Sequence, residues 1–235
     1  MKISELFRQL SYGELSNLSM SKNGSGEIVE DKHPQLIQYA NTALQTIFSR
    51  FRLREKELRL VQVEGITRYH LTRRFTESAG AAGVIPYIKD APPRDPFLED
   101  VIRILAVYDK DGQRALNDEG NPDSLFAPRP DTLQVPAPDA GYQLAVLYQA
   151  RHPELDDRPG KIINQKIDIP FFLEKALKSS IAHQVFSNMN GQENTLKGQE
   201  HLATYEAICI DIEQRDLVNQ TFHTSHSKLE MRGFV

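Results

Sequence analysis

Apolar residues recur at helical spacing near both ends of the chain, and this spacing predicts helices there. The first ten residues predict a short amphipathic helix, and Pro34 begins a longer one after a polar loop at 21–32. Pro170 and Glu193 begin two further helices, with Asn190-Gly191 as the break between them. The apolar positions that define these helices are Ile3, Leu6, Phe7 and Leu10; Leu36, Ile37, Ala40, Leu44, Ile47, Phe48 and Phe51; Leu173, Leu177, Ile181 and Val185; and Leu202, Tyr205, Cys209 and Ile212.

Between these helices, the pattern changes to the periodicity of strands. The predicted strands are 58–63, 66–75, 101–108, 132–136 and 142–150. Glu64-Gly65 predicts a turn or bulge between the first two, and Asp111-Gly112 predicts a tight hairpin turn. The predicted loops are 78–96, 117–130 and 151–161, with Asp95-Pro96 starting one short helical turn.

This order of elements predicts an α+β fold. We expect the N- and C-terminal helices, residues 1–57 and 162–220, to form one helical bundle. A smaller antiparallel β module, residues 58–161, is inserted between them. Residues 221–235 are polar and aperiodic apart from an apolar end, and they predict an extended C-terminal tail.

Composition narrows the classes of function. Of 235 residues, 40% are hydrophobic, which is enough for a real core, and the net charge of −4 disfavours tight, general nucleic-acid binding. Transient contact with DNA stays compatible with that charge. The single cysteine cannot form an internal disulfide, as expected of a protein made in a reducing cytoplasm. No apolar run approaches the roughly 20 residues of a membrane span, so we expect no membrane partner.

The candidate chemical sites each have a simpler structural explanation. His223 and His226 form the closest histidine pair, but no third ligand lies beside them, so solvated histidines are favoured over a metal site. The segment Asp109–Gly112 resembles the start of a calcium loop, but it lacks the later glutamate and suits a hairpin turn better. Cys209 lies on an apolar stripe, which favours a core thiol. We therefore predict no catalytic residue, no metal and no cofactor.

The densest basic stretch begins at the end of the second predicted helix. Arg50, Arg52 and Arg54 lie there, and Arg73 and Arg74 follow in the predicted strands, with glutamates interspersed. A solvated or inter-subunit surface is the favoured interpretation. A basic strip close to the phosphates of DNA is the alternative.

The C-terminal half carries a series of features that resembles a known family. Pro170 opens a helix rich in alanine and leucine, including Leu177 and Ala182; the break Gly191–Asn194 follows, and the next helix carries Tyr205-Glu206. These features resemble the paired helices of head-to-tail adaptors of tailed bacteriophages. The stretches KISELFRQLSYGELSNLSM, DTLQVP and LAVLYQARHPEL are similar to the tubular adaptor proteins of short-tailed phages, so the resemblance covers most of the chain.

The resemblance implies a structural protein of the virion, made in the cytoplasm of the bacterial host, and not an enzyme. Its copies would form a homo-oligomeric ring, commonly of about twelve, between the portal protein and the downstream tail protein. Double-stranded DNA would pass transiently through the lumen, where a mildly acidic chain would not retain the phosphates. A small cytoplasmic hydrolase-like enzyme and a nucleic-acid-associated regulatory module are the alternatives. The first needs a pocket with converging groups, the second a continuous basic face.

The end of the chain combines a polar beginning with apolar anchors. The residues expected to bind a partner are Phe222, Leu229, Met231, Phe234 and Val235. Such a segment does not bury enough apolar surface to fold alone, but it can order on a partner's groove. We therefore expect it to dock on the portal or on a neighbouring subunit. A chain end with no role is the alternative.

Overall fold

The computed structural model describes residues 1–16, 18, 27–91, 96–158 and 160–218. Within these residues, four α-helices and two antiparallel β-sheets confirm the predicted α+β class. The chain divides into two compact units. One, the helical unit, comprises Met1–Ile47 and the segment that begins at Leu155; the other, the β unit, comprises Phe48–Glu154. The predicted limits of the β module, 58 and 161, therefore lie further along the chain than those of the β unit.

The helices lie where the apolar periodicity predicts them. They are α1 (Ile3–Tyr12), α2 (His33–Arg50, whose last residues belong to the β unit), α3 (Glu174–Ser187) and α4 (Gln192–Gln214). Pro170 accepts a hydrogen bond from the Leu173 amide at 3.0 Å, and the resulting 3₁₀ turn, Phe171–Leu173, leads into α3. Gly191, with a φ of 115°, reverses the chain between α3 and α4, because glycine tolerates this region.

The helix α3 forms the centre of the helical unit. Its buried residues point in every direction around the axis; they are Ala176, Leu177, Ser179, Ser180, Ile181, Ala182, Val185 and Phe186. The helix contacts α1 and α4. It is also joined to α2, because the Gln184 amide donates a hydrogen bond to the Tyr39 carbonyl at 3.2 Å.

A five-stranded and a three-stranded sheet form the β unit, in the orders β3-β1-β8-β4-β5 and β2-β7-β6. The strands are β1 (Glu55–Val61), β2 (Arg68–His70), β3 (Ile88–Lys89), β4 (Val101–Asp109), β5 (Gly112–Gln113), β6 (Phe126–Arg129), β7 (Thr132–Gln134) and β8 (Gln143–Ala150). The strand β8 is central, because it pairs with all of β1 on one side and with β4 on the other. Side chains of both sheets share one core, including Leu60, Leu133 and Val146.

Several predictions for the β region were wrong in detail. The predicted strand 66–75 is shorter, since a 3₁₀ turn forms at Arg73–Phe75, and its partner is β7 and not the preceding strand. The predicted loops contain β3 and β6, because these short strands depend on distant partners and not on their own periodicity. Residues 96–100 contain no helical turn, and Asp95 lies outside the described residues. The hairpin turn is confirmed: Asp109 pairs with Gly112, and its carboxylate accepts the amide hydrogens of Asp111 and Gly112.

The fully buried Gln149 of β8 links the start of the β unit to the sheet. Its amide donates hydrogen bonds to the carbonyls of Phe48 and Phe51 at 2.6 and 3.2 Å, and its carbonyl accepts one from Arg103 Nε at 2.7 Å. We predict that Gln149→Ala lowers the free energy of unfolding by about 2–4 kcal/mol, because the buried Phe48 carbonyl loses this donor and Arg103 Nε loses this acceptor. Urea unfolding measures this loss. Gln143→Ala, at the exposed end of the same strand, should cost less than about 0.5 kcal/mol, and equal costs would contradict the prediction.

The buried carboxylate of Asp90 connects two parts of the segment between β2 and β4 by hydrogen bonds. Asp90 accepts hydrogen bonds from the Ser78 amide and hydroxyl, at 2.9 and 2.5 Å, and from the Phe97 amide at 3.0 Å. Burial by itself would raise the pKa of Asp90, but these hydrogen bonds outweigh it and lower the pKa below the ordinary aspartate value.

This lowered pKa predicts a pH dependence of stability. The carboxylate stabilises the fold fully above the ordinary aspartate pKa of about 3.9, and this contribution is lost as the pH falls through the lower, folded-state pKa. We expect Asp90→Asn to destabilise the protein at pH 7 and the difference from wild type to shrink towards pH 2. Urea unfolding across this range tests it, with the exposed Asp139→Asn as control. A difference that stays constant with pH would contradict it.

Candidate interaction surfaces

The cavities of the β unit are lined by groups that already bind each other. In one of about 290 Å³, Arg114 donates to the Asp109 carboxylate at 3.0 Å and to the Asp123 carbonyl at 2.7 Å. In another, of about 350 Å³, Lys56 and Tyr148 donate to the same carboxylate, that of Asp100, at 2.7 and 3.1 Å. Across the described part of the chain, no cluster of three or more His, Cys, Asp or Glu side chains is placed to hold a metal ion. None of the described helices is long and apolar enough to cross a bilayer.

The contact between α3 and α4 involves two histidines, both partly buried. His183 Nδ1 lies 2.8 Å from the Gly198 carbonyl, and the His201 ring stacks on Phe186 with 5.4 Å between centroids. Burial lowers the pKa of His201, against the opposing effect of nearby glutamates. His223 and His226 lie outside the described residues.

A glycine allows α4 to approach α3 closely. A Cβ atom at Gly198 would lie 2.8 Å from Ser187 Oγ, so this position favours glycine. The inward residues of α4, all of which is described, are Gly198, Tyr205, Cys209 and Ile212. The core position of Cys209 is therefore confirmed. Leu202, which the sequence pattern assigns to the same seam, is 39% exposed, so that assignment was wrong.

A second apolar row lies on the opposite side of α4, and we call it the outer face. It consists of Leu196, Ala203, Ala207 and Ile210, which recur at helical spacing. Leu196 is 54% exposed and Ile210 is 45% exposed, and α4 packs on α3 and the Phe171–Leu173 turn in the described residues. The row is therefore open along most of a helix about 35 Å long.

Acidic residues border the outer face on both sides. Glu193, Glu200 and Asp211 lie on one side, and Glu206 and Glu213 on the other. With Lys197 as its one basic residue, the fully described helix α4 has a net charge of −4. The aromatic ring of Phe171, 83% exposed, adds to the apolar surface of the helical unit.

The five arginines of the predicted basic strip lie at two separate places. Arg50, Arg52 and Arg54 precede β1, where Arg52 binds Glu55 at 2.8 Å and Arg50 covers the Phe51 ring. Arg73 and Arg74 follow β2. The nearby Thr76 pairs with Ile88, and Ile88 pairs with Leu60 at the far end of β1. The seven residues of β1 therefore separate the groups by about 20 Å. The structure brings Arg73 and Arg74 together and leaves the other three apart from them.

Arg73 and Arg74 adjoin an exposed apolar side chain. Tyr87 stacks on Phe75 with 4.7 Å between centroids, and its amide donates to the Phe75 carbonyl at 3.1 Å. The segment of Ile85, which is two residues before Tyr87 and 58% exposed, therefore runs alongside the segment that carries the arginines. We call Arg73, Arg74 and Ile85 the Arg73 patch. With Arg68 and Lys89 as further bases and Glu77 as the one acid, residues 66–89 have a net charge of +3.

The predicted anchors of the C-terminal tail lie outside the described residues. Their docking therefore stays a prediction. They are Phe222, Leu229, Met231, Phe234 and Val235.

Comparison with known proteins gives no further indication of function. No protein-family model matches the chain, and no curated protein matches it significantly.

Proposed function

We propose that this protein is a structural head-to-tail adaptor of a tailed-phage virion, whose copies form a ring between the portal and the tail. In this proposal the terminal helices form a bundle into which the β module is inserted, and the C-terminal tail reaches a partner. The resemblance of the C-terminal half to paired adaptor helices supports it. DNA crosses the lumen transiently, and the net charge of −4 suits passage without retention.

The observation that carries the proposal is the outer face of α4. A surface helix ordinarily buries one apolar face and exposes a polar one, whereas α4 has apolar rows on both. Covering a side chain such as Leu196 or Ile210 contributes roughly 1.5–3 kcal/mol. A protein that works in a permanent assembly recovers this free energy from a neighbour, and such an exposed row is typical of a protein–protein interface.

Electron microscopy tests the proposal directly. The purified chain is imaged alone and mixed with the portal protein encoded by the same phage genome. We expect rings of about twelve copies, or rings that appear on the portal. A chain that stays monomeric under both conditions, and that is absent from purified virions by mass spectrometry, would rule out the adaptor function.

Removing apolar side chains from the outer face should prevent ring formation without unfolding the subunit. We predict that Leu196→Ser and Ile210→Ser each weaken self-association at least about tenfold, because each removes an apolar contact of the ring. Their thermal unfolding as monomers should stay close to wild type, since both side chains are exposed. Mass photometry measures the assembly. Leu98→Ser, at an exposed position of the β unit, is the matched control, and equal effects of all three would contradict the role of the face.

The C-terminal tail supplies a separate prediction about incorporation. Deleting residues 222–235 should leave the thermal unfolding of the monomer unchanged, because a docking tail contributes to the complex and not to the subunit. The truncated chain should fail to join the particle beneath the portal. Particle yield and mass spectrometry of virions from a complemented deletion strain measure this. Normal incorporation of the truncated chain would show that the tail has no docking role.

A further inference from the structure

We propose that the outer face of α4 docks on the Arg73 patch of the neighbouring copy. This inference rests on the proposed function, since it names the two surfaces that a ring contact would join. The occupant of the outer face is thus a second copy of the same chain.

Charge complementarity is the first support. The helix α4 has a net charge of −4, and residues 66–89 have a net charge of +3, although the whole chain is only mildly acidic. Opposite charges separated in this way attract two copies and repel contacts between like surfaces. Arg73 and Arg74 are exposed, as are Glu200 and Glu206 on the two borders of the outer face.

The apolar parts match in the same arrangement. Leu196 and Ile210 form the middle of an acidic helix face, and Ile85 is an exposed apolar residue of the basic segment 66–89. Docking therefore places apolar side chains at the centre and opposite charges at the rim, which is the usual anatomy of a protein interface. Arginine is also among the residues most enriched in interface hot spots.

Both surfaces are held in shape before they meet. The interdigitation of α4 with α3 around Gly198 fixes the outer face, and the Phe75–Tyr87 stack and the Asp90 hydrogen bonds close the segment that carries Ile85. Preformed surfaces lose less conformational entropy on association.

The proposed contact is heterologous, because it joins two different surfaces of the two copies. Each copy has one outer face and one Arg73 patch. A linear oligomer therefore ends in a free outer face on one side and a free patch on the other, until a ring closes. A contact of either surface with the same surface of another copy is not expected, because like charges would meet.

Charge reversal with mixing tests the pairing by sedimentation velocity. Arg73→Glu with Arg74→Glu alters the patch, and Glu200→Lys with Glu206→Lys alters the helix. We expect each altered chain to self-associate at least about tenfold more weakly than wild type. An equal mixture should recover assembly, because an intact helix meets an intact patch at one contact and a reversed helix meets a reversed patch at the next. A chain carrying all four substitutions should recover assembly.

Matched controls and a second method keep the outcome decisive. Glu119→Lys and Arg129→Glu reverse exposed charges elsewhere and should leave assembly unchanged. If a charge reversal unfolds the chain, disulfide cross-linking of the double variant Ile85→Cys with Ile210→Cys is the second test. A ladder of covalent oligomers after oxidation supports the contact. A cross-link within one chain, or no cross-link, overturns it. The native Cys209 is fully buried and stays in place.

The remaining outcomes separate the two proposals. Wild-type rings that survive every reversal would overturn this contact and leave the adaptor function standing. A wild-type chain that forms no ring, alone or with the portal, and that is absent from virions would overturn the adaptor function itself. A 30-base-pair DNA duplex serves as a further probe. Binding that disappears with Arg73→Glu and Arg74→Glu while rings persist would assign the patch to DNA instead.

Discussion

The packing of α4 against α3 is the interaction on which the available surfaces of the helical unit depend. Gly198 lets the two helices approach closely, and Tyr205, Cys209 and Ile212 fill the contact. The buried residues of α3 surround its axis, and α4 packs on this helix with its inward residues. The opposite row of α4, with Leu196 and Ile210, is left as an apolar surface bordered by acids.

A comparable constraint acts in the β unit, where one buried carboxylate holds a long connection. Asp90 binds both the amide and the hydroxyl of Ser78 and the amide of Phe97. The segment that follows β2 therefore exposes Arg73, Arg74 and Ile85 although the 3₁₀ turn at Arg73–Phe75 and the short strand β3 are its regular elements. Hydrogen bonds to an ionised group are stronger than those between neutral groups, and burial makes their loss costly.

In the proposed ring, these two surfaces would let copies of a mildly acidic chain assemble specifically. Its net charge of −4 is small although α4 is strongly acidic and residues 66–89 are basic, and each of the two has exposed apolar residues. Charges arranged in this way contribute more to the choice and orientation of a partner than to affinity, which comes mainly from the apolar centre. An adaptor ring needs this combination, because identical copies must add in one orientation and leave the lumen passable to DNA.

Local periodicity was enough to predict all four helices of the described residues to within a few positions, since an amphipathic stripe reflects the burial of one helix face. The same rule could not choose between the two apolar rows of α4, and it counted Leu202, which is 39% exposed, among the buried residues. Packing on α3 made that choice. Strand partners were likewise beyond the sequence pattern, because β1 pairs with β8 more than 80 residues later.

The sequence by itself thus determined the α+β class, the helices, the hairpin at Gly112 and the core thiol of Cys209. Tertiary structure alone decided which charges act together. Arg54 and Arg73 belong to one basic stretch of the sequence, but the length of β1 separates them, whereas Arg73 and Ile85 are joined by the pairing of Phe75 with Tyr87. The physical reason is that periodicity records the burial of single elements, while surfaces arise from contacts between residues distant in the chain.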